Sequence, residues 1–192
     1  IYGESKLPEL LTELCKIEGL HWIRTLYTYP DRITDKLLDV LAREDKLVKY
    51  LDIPLQHING EILKKMNRKG DREALIQLIN KIRAKIPEIT LRTTLITGFP
   101  GETEEQFCEM AEFVKEMRFD RLGCFPYSAE EGTLAAEFDG QVDEQTKNDR
   151  MENIMEMQMT IAAEKNEEKA DSLIEVLIEG WDDYIKCYFG RT

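Results

Sequence analysis

The sequence predicts an α/β fold built on a parallel sheet. Three observations carry this prediction. Helical and strand-like stretches alternate along most of the chain. The strand-like runs recur roughly every 25 to 35 residues, the repeat of a strand–helix–strand unit. The stretches between them carry apolar side chains at helical spacing. Of the 192 residues, 42% are hydrophobic and 33% are charged. That is the balance of a globular domain and excludes a disordered chain.

Leu7, Leu10, Leu11, Leu14 and Ile17 form the first helical stripe, and Gly19 ends it. Trp22 to Tyr29 is β-branched and aromatic and reads as a strand closed by Pro30. Ile33, Leu37, Leu38 and Leu41 mark a second helix with Thr34 as its N-cap. Tyr50 to Leu55 reads as a strand with Leu51, Ile53 and Leu55 on one face. A short helix is expected around Glu61 to Met66. A longer one runs from about Asp71 to Lys85, carried by Leu75, Leu78, Ile79 and Ile82, and Pro87 stops it. Ile89 to Thr97 is the clearest strand, and Gly98-Phe99-Pro100-Gly101 must turn tightly after it. Thr103 and Gln106 form a capping box that opens a helix through Met117. Arg121 to Tyr127 reads as the fourth strand.

Beyond Gly132 and Gly140, a long helix is expected from about Glu144 to Lys169, its stripe including Met151, Ile154, Met155, Gln158 and Ile161. Core packing accounts for that methionine-rich face better than a promiscuous binding surface. Leu173 to Ile178 and Tyr184 to Phe189 read as two strands turning at Gly180-Trp181-Asp182-Asp183, with no helix following. This change of pattern sets the expected domains at 1–170 and 171–192. Two strands cannot bury a core alone, so the second domain is read as truncated. The chain opens on Ile1 and closes on Gly190-Arg191-Thr192 directly after a strand-like run, and both ends read as cut.

Formal net charge is −12, from 26 basic and 38 acidic residues. Such a surface repels phosphate backbones and suits basic partners, although many acidic proteins gain only solubility from it. No apolar stretch approaches the roughly 18 residues of a membrane span. No leader is visible, so a cytoplasmic location without membrane contact is expected. Cys15, Cys108, Cys124 and Cys187 lie too far apart for metal-ligand spacing and suggest no disulfide framework. They read as reduced, mostly core residues. Two histidines, His21 and His57, are too few for a zinc hydrolase.

In parallel α/β folds ligands gather at the carboxyl ends of strands. Those ends carry Gln56 and His57, Gly98 to Glu102, and Tyr127 with Ser128. The glycines allow close backbone approach to a ligand, but Glu102, Glu104 and Glu105 would repel phosphate. The turn therefore suits a ligand with a cationic centre or with hydroxyls and an amide-like ring, or it is a plain strand-to-helix turn. Gln56 offers donors and an acceptor to ribose hydroxyls. His57 fits either an acid–base group or a polar residue leading into a helix. Arg92 and Thr94 share one strand face and are expected to point inward, opposite Ile89, Leu91, Thr93 and Leu95.

Taken in order, Pro54-Leu55-Gln56-His57, Met66-Asn67-Arg68, Arg92-Thr93-Thr94, Gly98 to Glu105 and Phe125-Pro126-Tyr127-Ser128 resemble the radical S-adenosylmethionine (SAM) methylthiotransferases. The resemblance runs from Tyr2 to Thr192. Trp22 to Pro30, Tyr50 to Ile58 and Phe119 to Gly123 resemble the branch that modifies an aspartate of small-subunit ribosomal protein twelve. The resemblance implies the C-terminal part of a TIM-like (β/α) barrel, followed by the first strands of a truncated TRAM β-barrel. It implies SAM as cofactor, and two 4Fe–4S clusters in the parent protein with ligands outside these residues. The Cys-x3-Cys-x2-Cys motif that would hold the SAM-cleaving cluster is not in this sequence. In such enzymes SAM is split to a 5′-deoxyadenosyl radical that takes a hydrogen from an unreactive β-carbon. A methylthio group is then added there, its methyl supplied by a second SAM.

The resemblance assigns cofactor binding to Gln56, Arg92, Thr94, Ile96, Gly98, Phe99, Pro100, Gly101, Tyr127 and Ser128. Thr94, Ile96 and Gly98 align with a Gly-x-Ile-x-Gly pattern beside adenine, with Thr94 in place of the first glycine and the acid one residue late, at Glu102. The implied partner is a basic ribosomal protein, with RNA contact through the TRAM domain. The electron donor and sulfur source are not indicated. The alternatives are a tRNA methylthiotransferase, a non-catalytic binding module, and a barrel enzyme acting on a phosphorylated metabolite. The −12 charge argues against the first and the glutamates around Gly101 against the last. A sheet that is only part of a barrel exposes unpaired strand edges. The isolated chain is therefore expected to associate, and a monodisperse monomer in analytical ultracentrifugation would contradict this.

Overall fold

The computed structural model describes residues 5–191. Ile1 to Glu4 and Thr192, which include the two end residues of the reading of cut ends, lie outside the described residues. The chain divides into two compact units, Ile1–Ala162 and Ala163–Thr192. The first holds a four-stranded sheet in the order β1 (Ile23–Thr25), β2 (Leu47–Asp52), β3 (Thr90–Thr97), β4 (Arg121–Pro126), every pairing parallel. Helices α1 (Leu7–Cys15), α2 (Asp35–Arg43), α3 (Gly60–Lys65), α4 (Arg72–Lys85) and α5 (Glu104–Met117) are interleaved with the strands, and α6 (Glu144–Glu167) follows β4.

The helix starts are set by side chains that accept otherwise unpaired N–H groups. Thr34 accepts from Leu37 N at 3.2 Å, Asn59 from Glu61 N at 3.0 Å and Asp71 from Ala74 N at 2.9 Å. Thr103 and Gln106 complete the expected capping box. The expected first strand shrinks to Ile23–Thr25, because its register with β2 slips and Tyr27 turns to φ +56°. β2 starts earlier than expected, at Leu47, and stops before Pro54, which has no N–H to extend the ladder. Along β3, Leu91, Thr93, Leu95 and Thr97 are buried while Arg92 is exposed and Thr94 and Ile96 are half-buried. The helix-covered face is therefore the one expected, and Arg92 and Thr94 lie opposite it.

Leu38, Leu51, Ile58, Ile82, Phe113 and Phe119 are shielded completely or nearly so. Each such side chain contributes roughly 1.5–3 kcal/mol. In α6, Ile154 and Ile161 join this core, and Met151, Met155 and Met157 pack against it. The methionine stripe is thus a packing face. Gln158, also buried there, donates to Phe119 O at 2.9 Å.

The second unit contains an antiparallel hairpin of β5 (Leu177–Asp182) and β6 (Cys187–Arg191). The turn lies several residues beyond the expected Gly180-Trp181-Asp182-Asp183. Asp182 Oδ1 accepts from Tyr184 N at 2.8 Å and Ile185 N at 3.1 Å, and Lys186 takes φ +52°. Gly180 belongs to the strand instead. A Cβ there would sit 2.7 Å from the Phe189 ring, so the glycine makes room for a cross-strand aromatic. Among the described residues no helix is long and apolar enough to cross a membrane.

Cys124 is buried on the helix-covered side of β4, and that burial pushes its thiol up to about 12. Cys108 and Cys187 are exposed. Thiolate is the reactive form. Iodoacetamide at neutral pH should therefore label Cys108 and Cys187 while sparing Cys124 until the chain is unfolded, as read by peptide mass spectrometry.

Candidate functional site

The turn after β3 is organised around one buried carboxylate. Glu102 has a fully shielded side chain. Its Oε1 accepts from Gly98 N at 3.0 Å and from Arg150 Nη1 at 2.7 Å. Its Oε2 lies 3.1 Å from His57 Nε2. His57 Nδ1 accepts from Asn59 N at 3.0 Å, so the proton sits on Nε2 and is donated to Glu102. Arg150 also reaches Glu104 Oε2 at 2.8 Å. Burial works against the guanidinium charge, but the bond to Glu104 and the Glu102 carboxylate outweigh it and hold its pKa above the ordinary value. His57 is thus a buried link between β2, α3 and the turn. Glu102 faces protein and does not attract a cationic ligand.

Gly98 has φ +68°, and a Cβ there would lie 2.2 Å from Lys147 Cγ. Lys147 is itself buried, its Nζ bound to Glu144 Oε1 at 2.6 Å and placed 5.4 Å from the Tyr127 ring centroid. Thr97 Oγ1 donates to Lys147 O at 3.1 Å. Helix α6, not a ligand, therefore takes the space that Gly98 leaves. Phe99 and Pro100 are buried, and Phe99 meets Tyr127 edge-on at 5.2 Å and Phe138 at 6.3 Å. Gly101 N donates to Gly140 O at 2.8 Å.

At the strand ends, four buried polar atoms have no partner: Thr25 Oγ1, Asp52 Oδ1, Gln56 Oε1 and Tyr127 Oη. Thr25 and Asp52 close β1 and β2, Gln56 bridges to β3 at Leu95, and Tyr127 follows β4. Gln56 is held at φ +69°, with its N bonded to Thr94 O and its O bonded by Ile96 N, both at 2.8 Å. An unpaired buried polar atom costs roughly 1–3 kcal/mol, which a ligand offering hydrogen bonds would offset. Asp52 is also in register with Arg92. These orphaned atoms fit an adenosyl ligand carrying amino and hydroxyl donors.

The structure therefore brings Gln56, Thr94 and Ile96 together through the backbone, and joins Phe99 to Tyr127. It puts Ser128 in an exposed loop, where its hydroxyl donates to Glu130 Oε1 at 2.9 Å. Sequence reasoning missed Thr25, Asp52, Lys147 and Arg150. Lys147 and Arg150 carried a signal: they precede Ile154, Gln158 and Ile161 in the phase of the buried stripe. Among the described residues no group of three or more His, Cys, Asp or Glu side chains is placed to hold a metal ion.

Four parallel strands with helices packed on one face define an α/β domain of the parallel-sheet class. The profile of the radical SAM superfamily matches residues 3–114, and the chain belongs to that superfamily. Over all 192 residues it is 50% identical to the ribosomal protein uS12 methylthiotransferase RimO of Alkaliphilus oremlandii, covering 44% of that protein. It is 48% identical to the RimO of Clostridium novyi over 192 residues, covering 43% of it. The chain thus spans less than half the length of these relatives. Among solved structures, the radical SAM enzyme coproporphyrinogen III oxidase (HemN) of Escherichia coli superposes with a TM-score of 0.63. Its identity is 27%, over 81% of this chain and 36% of that one. The radical SAM methyltransferase TsrM of Kitasatospora setae, at 20% identity and a TM-score of 0.51 over 62% of this chain and 24% of that one, shares the fold.

The buried ion cluster gives a direct stability test. Arg150→Met strands the Glu102 carboxylate and should cost about 3–5 kcal/mol in urea unfolding. Glu104→Gln, at a side chain 67% exposed, should cost less than about 1 kcal/mol.

Proposed function

We propose that the protein is a radical SAM methylthiotransferase that adds a methylthio group to the β-carbon of an aspartate in small-subunit ribosomal protein uS12. One observation carries this reading: 50% identity, across every residue of the chain, to a uS12 methylthiotransferase. In this reading residues 1–170 form part of a TIM-like barrel. Gln56, Arg92, Thr94, Ile96, Gly98 to Gly101, Tyr127 and Ser128 form the SAM side of the site. The orphaned atoms of Gln56 and Tyr127 support the assignment, and those of Thr25 and Asp52 extend it. The exposure of Arg92 on the face away from the helices supports its contact with ligand or substrate. Gly98 to Gly101 act by backbone shape, which the buried Glu102 holds. Ser128 is the least supported of the set, since its hydroxyl is turned to Glu130.

When bound, SAM together with a reduced 4Fe–4S cluster supplies a hydrogen-abstracting radical and the methyl group. Two clusters, held by cysteines outside these 192 residues, complete the proposal. The partner is the basic ribosomal protein, which a chain of net charge −12 attracts at long range. Residues 171–192 are read as the first strands of a TRAM domain and a site of RNA contact. The apolar side chains that the hairpin leaves exposed, Leu177, Ile178 and Phe189 among them, support further strands packing there. A cytoplasmic location follows from the substrate.

The test is iron and sulfide analysis of the full-length protein after anaerobic reconstitution, then incubation with SAM, a reductant and a uS12 fragment. Two 4Fe–4S clusters and a peptide in which SCH3 replaces one hydrogen of the aspartate are expected. A single cluster would remove the sulfur-insertion step. Methylthiolation of tRNA but not uS12 would move the protein to the tRNA-modifying branch.

A further inference from the structure

One cleft departs from the acidic character of the chain. A cavity of about 260 Å³ opens beside the residues that follow β1, lined by Arg32, Arg68 and Lys69 with Asp31 as the counter-charge. Its floor is apolar, with Leu55 and Leu63 each 2% exposed, and Tyr29 stands 55% exposed at its rim. Arg68 is held in place. Its Nη1 donates to Pro54 O at 2.9 Å, and its guanidinium lies 4.8 Å from the Tyr29 ring centroid. A carbonyl and a ring orient that charge without cancelling it. Asp31 stands 3.7 Å from Arg32 Nε. In sequence, Lys64, Lys65, Arg68 and Lys69 crowd four cations into six residues, in a chain with 38 acidic and 26 basic residues. Lys64 and Lys69 are exposed on α3 and the loop after it.

We propose that this cleft docks a short single-stranded RNA segment, with a phosphate against Arg68, Lys69 and Arg32 and a neighbouring base on the exposed Tyr29 ring. One held cation, Arg68, with the exposed Arg32 and Lys69 near it and an exposed aromatic over an apolar floor, matches a phosphate followed by a flat base. A basic polypeptide is repelled by the same three cations. An acidic peptide would satisfy them but would leave the ring and the apolar floor without a role. The proposal is independent of the methylthiotransferase assignment, because it concerns a surface that binds whether or not the enzyme turns over.

The test is fluorescence anisotropy of a labelled single-stranded oligoribonucleotide titrated with the full-length protein across a salt series. Arg32→Glu/Lys69→Glu should weaken binding by about tenfold or more. It should also flatten the log affinity–log salt slope by about 1.4, from roughly 0.7 for each of two lost phosphate contacts. Tyr29→Ala should weaken binding by at least about fivefold while leaving the salt slope unchanged. All three positions are at the surface, and circular dichroism and Tm confirm folding of each variant. Lys69→Gln serves as a milder substitute if the charge reversal unfolds the chain. Binding by both variants equal to that of the unmodified protein would overturn the proposal. Displacement of the RNA by polyglutamate as effectively as by unlabelled RNA would overturn it in favour of an acidic-peptide surface. Displacement by millimolar inorganic phosphate alone would reduce the cleft to a simple anion site.

Discussion

Glu102 sits where four parts of the first unit meet. Its carboxylate takes the Gly98 N–H of the turn, the His57 ring after β2 and the Arg150 guanidinium of α6, while its own backbone leads into α5. A carboxylate with a fully shielded side chain is tolerable only where a cation and hydrogen-bond donors compensate its lost hydration. Each of its three partners is therefore obliged to be where it is. His57 must carry its proton on Nε2, α6 must bring Arg150 across the strand ends, and the chain after β3 must turn at Gly98 and not run on. The turn that the proposed cofactor would meet is shaped from behind, by protein.

That arrangement separates two tasks that the sequence pattern runs together. The glycines at the turn have packing reasons: Gly98 yields its Cβ position to Lys147, and Gly101, at φ +82°, leaves room for the Lys65 ammonium, 2.5 Å from where a Cβ would sit. The buried polar atoms without a protein partner at the strand ends are elsewhere, on Thr25, Asp52, Gln56 and Tyr127. Under the proposed assignment, a ligand would supply the hydrogen bonds that the fold withholds from these atoms.

The alternation of strands and helices was legible because it rests on local signals. Thr34, Asp71 and Thr103 cap their helices, and the two-residue period of β3 sorts Leu91, Thr93 and Leu95 from Arg92 and Thr94. The first strand and the hairpin were misjudged for a common reason. Propensity marks which residues tolerate extended backbone, whereas pairing and turn geometry decide where the strand runs. Tyr27 and Lys186, both at positive φ, are ordinary residues that no pattern flags. Asp182 became a turn-closing side chain through bonds to two backbone N–H groups that are visible only in three dimensions.

That Gln56, Gly98 and Tyr127 lie at strand ends was legible, and the partners of the acids around them were not. Strand ends are where parallel folds bind ligands, a rule of topology that points to Gln56, Gly98 and Tyr127 without contact information. Deciding whether Glu102 faces a ligand or the protein requires knowing what lies behind it, and that is Arg150, almost fifty residues away in sequence. A charged residue in phase with an apolar stripe is the local trace of such a partner. Lys147 and Arg150 both show it, at the start of a helix whose other buried positions are Ile154, Gln158 and Ile161. Reading buried charges in matched pairs across the chain, an acid after a glycine turn with a base on a helix stripe, would separate the acids that brace a site from those that can meet a ligand.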